Sequence, residues 1–109
     1  MQHNLSVNKA FLKFLLDGTK AQISDILKRI TTGQLKALTE ICFNLLAGNV
    51  PLDSEADRRK LLKCKKIIRL FGDKKTSFKV KKSLLLSKHS FLKALRKIIL
   101  PAALKLLGI

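Results

Sequence analysis

Gln34-Leu35-Lys36-Ala37-Leu38-Thr39-Glu40-Ile41-Cys42-Phe43-Asn44-Leu45-Leu46-Ala47 is the stretch that decides the fold. Leu35, Leu38, Cys42 and Leu45 recur at helical spacing and form one stripe, which Ile41, Phe43 and Leu46 widen. Gly48 stands where a helix closes through a left-handed residue, and Pro51 forbids simple continuation. Strand-like alternation is almost absent from the chain, so this helix sets the class: all-α.

Toward the N-terminus the same period recurs. Residues 5–16 read as a first short helix, with Asn4 or Ser6 as its cap and Asp17-Gly18 as its end. Thr19 caps a second, whose Ile23, Ile26, Leu27 and Ile30 share one face before Thr31-Thr32-Gly33 breaks it. Toward the C-terminus, Gly48-Asn49-Val50-Pro51-Leu52 is a short connector, after which Asp53 or Ser54 caps a helix over residues 55–71. Asp53, Glu55 and Asp57 suit the positive end of its dipole, and Leu61, Cys64, Ile68 and Phe71 are its buried stripe. Thr76 or Ser77 caps a fifth helix through Ser87, with a break over residues 87–90. The last segment, residues 91–109, is apolar, and Pro101 kinks or divides it. The chain therefore predicts a small bundle of five to six short helices: a neutral subdomain over residues 1–52 and a basic one over residues 53–109, joined as one domain.

The charge is very unevenly placed. The 109 residues carry 23 Lys and Arg against 7 Asp and Glu, a formal net charge of +16. Residues 1–57 hold six of each sign, so the whole excess lies in residues 58–109, where Asp73 is the one acid. Hydrophobic residues make up 47% of the chain, too many for the charge to signal disorder. A one-sided excess of this size points to a polyanion or an anionic membrane as partner.

The sharpest feature is residues 58–82, with Arg58, Arg59, Lys60, Lys63, Lys65, Lys66, Arg69, Lys74, Lys75, Lys79, Lys81 and Lys82 as candidate phosphate contacts. Nine of these are Lys, point charges on flexible stems that neutralise phosphate without the fork geometry that reads guanine edges. Tyr and Trp are absent, and Phe71 and Phe78 fall at core-like positions, so double-stranded DNA is favoured over a single strand stacked on aromatic rings. In the terminal segment Phe91, Leu92, Leu95, Ile98, Ile99 and Leu100 form an apolar face interrupted by Lys93, Arg96 and Lys97. That face either packs on the bundle, meets a partner, or lies in a membrane interface as basic amphipathic helices do.

Other chemistry finds little to stand on. His3 and His89 are the two histidines, far apart in sequence, and no glycine-rich phosphate loop or metal-ligand spacing is present. The sequence therefore predicts no enzyme and no cofactor. Cys42 and Cys64 fall on apolar stripes and read as small buried thiols in a reducing compartment. The first residues lack the basic and apolar regions of a secretory signal, and the apolar runs fall short of the about 20 residues that span a bilayer.

Four stretches together resemble a known family: Gly33 through Leu52, with its Gly48-Asn49-Val50-Pro51-Leu52; Leu62-Lys63-Cys64-Lys65-Lys66-Ile67-Ile68-Arg69-Leu70-Phe71; Asp73-Lys74-Lys75-Thr76-Ser77; and an apolar terminus after Phe91-Leu92. They look like the small basic proteins of Polinton/Maverick elements and adintoviruses, which are likened to the adenovirus X (mu) core protein. Where that family commonly enters its tail through a Gly-Gly-Phe-Leu-Pro-like run, this chain has Lys88-His89-Ser90-Phe91-Leu92 and delays the proline to Pro101. The resemblance implies a virion protein that accompanies packaged double-stranded DNA in the host nucleus, with capsid proteins or an anionic entry membrane as further partners and with no enzymatic activity. The alternatives are a membrane-active virion protein working through residues 91–109, and a helical interaction module or DNA-binding regulator.

Overall fold

A computed structural model describes residues 2–106 and Gly108, and it is helical throughout, with no strand among the described residues. In chain order the elements are α1 (Gln2–Val7), α2 (Lys9–Asp17), α3 (Lys20–Lys28), α4 (Thr32–Leu46), α5 (Glu55–Leu62), α6 (Lys65–Gly72), α7 (Phe78–Ser87), α8 (His89–Ala94), a π-helical turn (Leu95–Ile99) and α9 (Leu100–Leu106). The all-α class holds, in more and shorter pieces than the periodicity suggests.

The deciding stretch is the central helix. α4 packs against α1, α6, α7 and the π turn, and Leu35, Ala37, Leu38, Ile41 and Cys42 are buried along it. Its start lies slightly earlier than the stripe implies because Thr31 and Gln34 form a capping box: Thr31 Oγ1 accepts from Gln34 N at 3.1 Å, and Gln34 Oε1 accepts from Thr31 N at 3.0 Å. Thr19 and Gln22 repeat the device at α3. At the far end Gly48 is left-handed, with φ of 81°. Asn49 N donates to Asn44 O and Gly48 N to Leu45 O, a Schellman closure that satisfies two terminal carbonyls.

Two predicted helices are divided. The first breaks at Asn8, whose side chain donates to Asn4 O at 2.8 Å and to Gly33 O at 3.4 Å, so a local side chain competes for the helical acceptor. The helix over residues 55–71 breaks at Lys63-Cys64, where Cys64 N bonds Leu61 O in a tighter turn and the thiol leans on the same carbonyl at 3.5 Å. Leu61, Cys64, Ile68 and Phe71 are all buried despite the break. The predicted gap after Ser87 shrinks to a single residue, Lys88.

One hydrophobic cluster runs from Leu5 to Leu104 and draws on both halves of the chain. Phe71 of α6 and Phe91 of α8 meet at its centre, with ring centroids 5.3 Å apart and planes tilted by 48°. Gly72 ends α6 and also lets it approach α4 closely, since a Cβ there would lie 3.1 Å from Phe43 N and 3.2 Å from Cys42 C. Pro101 neither ends nor divides the terminal helix. The π turn stands immediately before it, with Leu100 N bonded to Leu95 O, and widens the ladder where a proline has no N–H to give.

Candidate nucleic-acid interface

The predicted contact residues fall on α5, α6, the turn after it, and α7. Ser54 caps α5 by accepting from Asp57 N at 3.2 Å, and Glu55 and Asp57 occupy its first turn. Arg58 folds back over that start. Its Nη2 donates to Leu52 O at 2.7 Å and its Nη1 lies 3.7 Å from Glu55 Oε2, so part of its guanidinium holds the connector. Arg59, Lys60 and Lys63 are exposed.

On α6 the inward positions are taken by Ile68, Phe71 and Gly72, which turns Lys65, Lys66 and Arg69 out to solvent. The chain then reverses through an Asx turn: Asp73 Oδ1 accepts from Lys75 N at 2.9 Å, and Asp73 O accepts from Thr76 N at 3.1 Å. Lys74 and Lys75 project from it, with Lys74 Nζ 5.5 Å from the centroid of the Phe43 ring. Ser77 caps α7 by accepting from Val80 N, which leaves Lys79 exposed and Lys82 half-buried.

Lys81 departs from the expected set. It is 4% exposed, and its Nζ donates to Thr39 Oγ1 at 3.0 Å while the Phe71 ring lies 5.8 Å away. With Leu84 and Leu85 it forms the buried face of α7, so its ammonium sits under the surface. Burial lowers its pKa from the ordinary 10.5, against the opposing fields of Asp73 and Cys42. Eleven of the twelve predicted contacts therefore reach solvent in whole or part. Among the described residues, three ion pairs occur: Arg29 with Asp25, Arg58 with Glu55, and Lys105 with Asp53. Apart from Arg58, no predicted contact residue is among them.

The apolar face of the terminal segment is also redistributed. Phe91, Leu95, Ile98, Ile99 and Leu100 are buried in the core and Leu92 is half-buried, which removes them from any exposed membrane or partner surface in this fold. Arg96 turns inward to α2. No described helix is long and apolar enough to cross a membrane.

Three features escape sequence reasoning. Phe78 is 40% exposed although its spacing of three and seven residues to Lys81 and Leu85 places it on their face, because as the first residue of α7 it stands at the open end of that stripe. Phe43, 47% exposed, underlies Lys74 from a different helix. Lys88, Lys93 and Lys97 extend the exposed basic surface onto α8 and the π turn. Burial pushes the Cys42 thiol up to about 12 and raises Cys64 as well. Compared with family models, with curated proteins and with solved structures, the chain matches none.

Proposed function

We propose that this protein binds double-stranded DNA through phosphate contacts, without reading sequence, and neutralises it for packing inside a viral particle assembled in the host nucleus. The observation that carries the reading is the exposure of Arg59, Lys60, Lys63, Lys65, Lys66, Arg69, Lys74, Lys75 and Lys79 on consecutive elements, none of them in a described ion pair. Unpaired like charges repel one another and destabilise a compact chain, a cost that bound phosphates offset. Lysine predominates, which favours backbone neutralisation over base readout. Three exposed phenylalanines, Phe14, Phe43 and Phe78, are too few to track a single strand, so the duplex remains the favoured form. The reading gives the chain no catalytic role and no cofactor, and the particle assignment leans on the family resemblance.

The test is the salt dependence of duplex binding. Eight phosphate contacts give a slope of log K against log salt near about −7, from roughly −0.9 per phosphate. The triple variant Lys66→Gln, Arg69→Gln, Lys79→Gln reduces that slope by about 3, equally on random and on defined sequences. A slope shallower than about −2, or strong preference for one sequence, overturns the proposal.

A further inference from the structure

A groove of about 370 Å³ opens between α4, the turn before α7, and the start of α7. That volume falls within the roughly 300–1,000 Å³ of small-molecule sites. Lys36, Lys74 and Lys81 line it together with Thr32, Thr39 and Thr76, so three basic and three hydroxyl side chains border one groove. Its one carboxylate, Glu40, already accepts from Asn4 Nδ2 at 2.7 Å through Oε1.

Lys81 shows what the groove lacks. The Thr39 hydroxyl gives its own proton to Leu35 O at 2.9 Å and accepts from Lys81 Nζ, which accounts for one of three ammonium donors. The Phe71 ring face offers a second, weaker partner. No described carboxylate stands within ion-pair distance of Nζ; Asp73 acts at longer range, and the Cys42 thiol stays neutral. A buried ammonium without a counter-ion is costly, and here it lines a groove that two further lysines, Lys36 and Lys74, also line. The chemistry that completes such a site is an anion with several acceptor oxygens. Phe78 supplies an aromatic wall at the lip, 40% exposed and free to stack on a flat ring.

We infer that this groove binds a nucleoside monophosphate unit, its phosphate against Lys81, Lys36 and Lys74 and its base on Phe78. The unit comes either from a free nucleotide or from the 5′-phosphorylated end of a DNA strand. The site shares Lys74 with the duplex-neutralising surface but differs from it in Lys81, which is 4% exposed and faces the groove and not the outer surface.

The test titrates the full chain, at fixed ionic strength, with deoxyadenosine monophosphate, inorganic phosphate, deoxyadenosine, and short single strands with and without a 5′-phosphate. Calorimetry gives affinity, and amide shifts of Thr39, Thr76 and Phe78 locate the site. Saturable binding of the monophosphate is expected at least tenfold tighter than of phosphate or nucleoside alone. It weakens at least fivefold in Lys36→Gln and in Lys81→Met, and is unchanged in Lys66→Gln. A preference for the 5′-phosphorylated strand over its hydroxyl form identifies the strand end as the source; equal strand binding with retained monophosphate affinity identifies the free nucleotide. Absence of saturable binding, or equal weakening by Lys66→Gln and Lys36→Gln, overturns the inference. The duplex salt slope of Lys81→Met stays at the unsubstituted value, so failure here is distinct from failure of the DNA reading.

Discussion

Arg96 Nε donates to Leu15 O at 2.6 Å, and its Nη2 to Gly18 O at 3.2 Å, joining the π turn to the end of α2 across 81 positions of sequence. The guanidinium lies where α2 presents its last carbonyls, the negative end of the helix dipole, and satisfies acceptors that the helix itself cannot. Hydrogen bonds from a charged donor contribute about 1.5–3 kcal/mol each. Arg96→Ala is therefore expected to lower unfolding free energy in urea by about 3 kcal/mol, with Arg96→Lys recovering part of it. A loss below about 0.5 kcal/mol would show the link to be incidental.

Gly72 and Gly33 make an opposed pair. A methyl group at Gly72 meets the backbone of Phe43 and Cys42, which has no rotamer to move away, whereas at Gly33 the nearest atom is Thr31 Oγ1 at 4.0 Å. Gly72→Ala is expected to destabilise by about 1–3 kcal/mol through forced separation of α6 from α4. Gly33→Ala, in the first turn of α4, is expected to stabilise by about 0.4–1 kcal/mol. Thermal melts of the two variants check both signs.

The buried Lys81 ties stability to pH in a definite direction. Its folded pKa lies below 10.5, so between the folded and unfolded values the unfolded chain binds more protons and stability rises with pH. Below that window the full penalty of the buried charge is present. Lys81→Met keeps the stem and removes the charge; it is expected to be more stable than the unsubstituted protein at pH 7, on the order of 1 kcal/mol. The difference should shrink as pH approaches 10.5. Urea titrations at pH 7 and 10 measure it, and a variant less stable at pH 7 would assign the ammonium a net stabilising role instead.

Cys42 should be inert while the fold lasts. With its pKa pushed up to about 12, the thiolate fraction at pH 8 is about one in ten thousand, and the side chain is fully buried. Cys64 is buried with its pKa raised in the same direction. Neither thiol is expected to react with an aromatic disulfide reagent at pH 8 before unfolding, and both are expected to react in denaturing urea. Fast labelling of one thiol in the folded chain would reveal local opening at its helix.

What the sequence disclosed depended on which force governed each position. The stripe from Leu35 to Leu45 and the left-handed Gly48 were legible because periodicity and backbone sterics act locally. The capping boxes of Thr31-Gln34 and Thr19-Gln22 are equally local, yet apolar spacing by itself starts a helix only at its first hydrophobic residue. Lys81 misleads for a different reason. It stands three and four residues before Leu84 and Leu85, on the face that packs, but its charge argues for solvent; only the facing Thr39, forty-two residues away, makes burial tolerable. Phe78 errs the other way: its spacing to Lys81 and Leu85 places it on the packing face, yet at the first residue of α7 it stays 40% exposed. The exposed lysines were legible as a charge excess, whereas their convergence with Thr32, Thr39 and Thr76 depends on how α4 and α7 cross.

The wide turn before Pro101 sets the phase of everything after it. At about 100° per residue, a regular α-helix that buries Phe91, Leu95 and Ile98 would carry Leu100, Ala103 and Leu104 round to the opposite side. An i→i+5 turn absorbs one extra residue, which rotates the following segment back by about 100°, enough to bring all three onto the buried side. The chain thus holds one residue more than a straight helix with this apolar face requires. Its two apolar stretches are out of step in sequence and in step in space, which makes Leu95–Ile99 the place where a single deletion restores an uninterrupted helix without moving either stretch from the core.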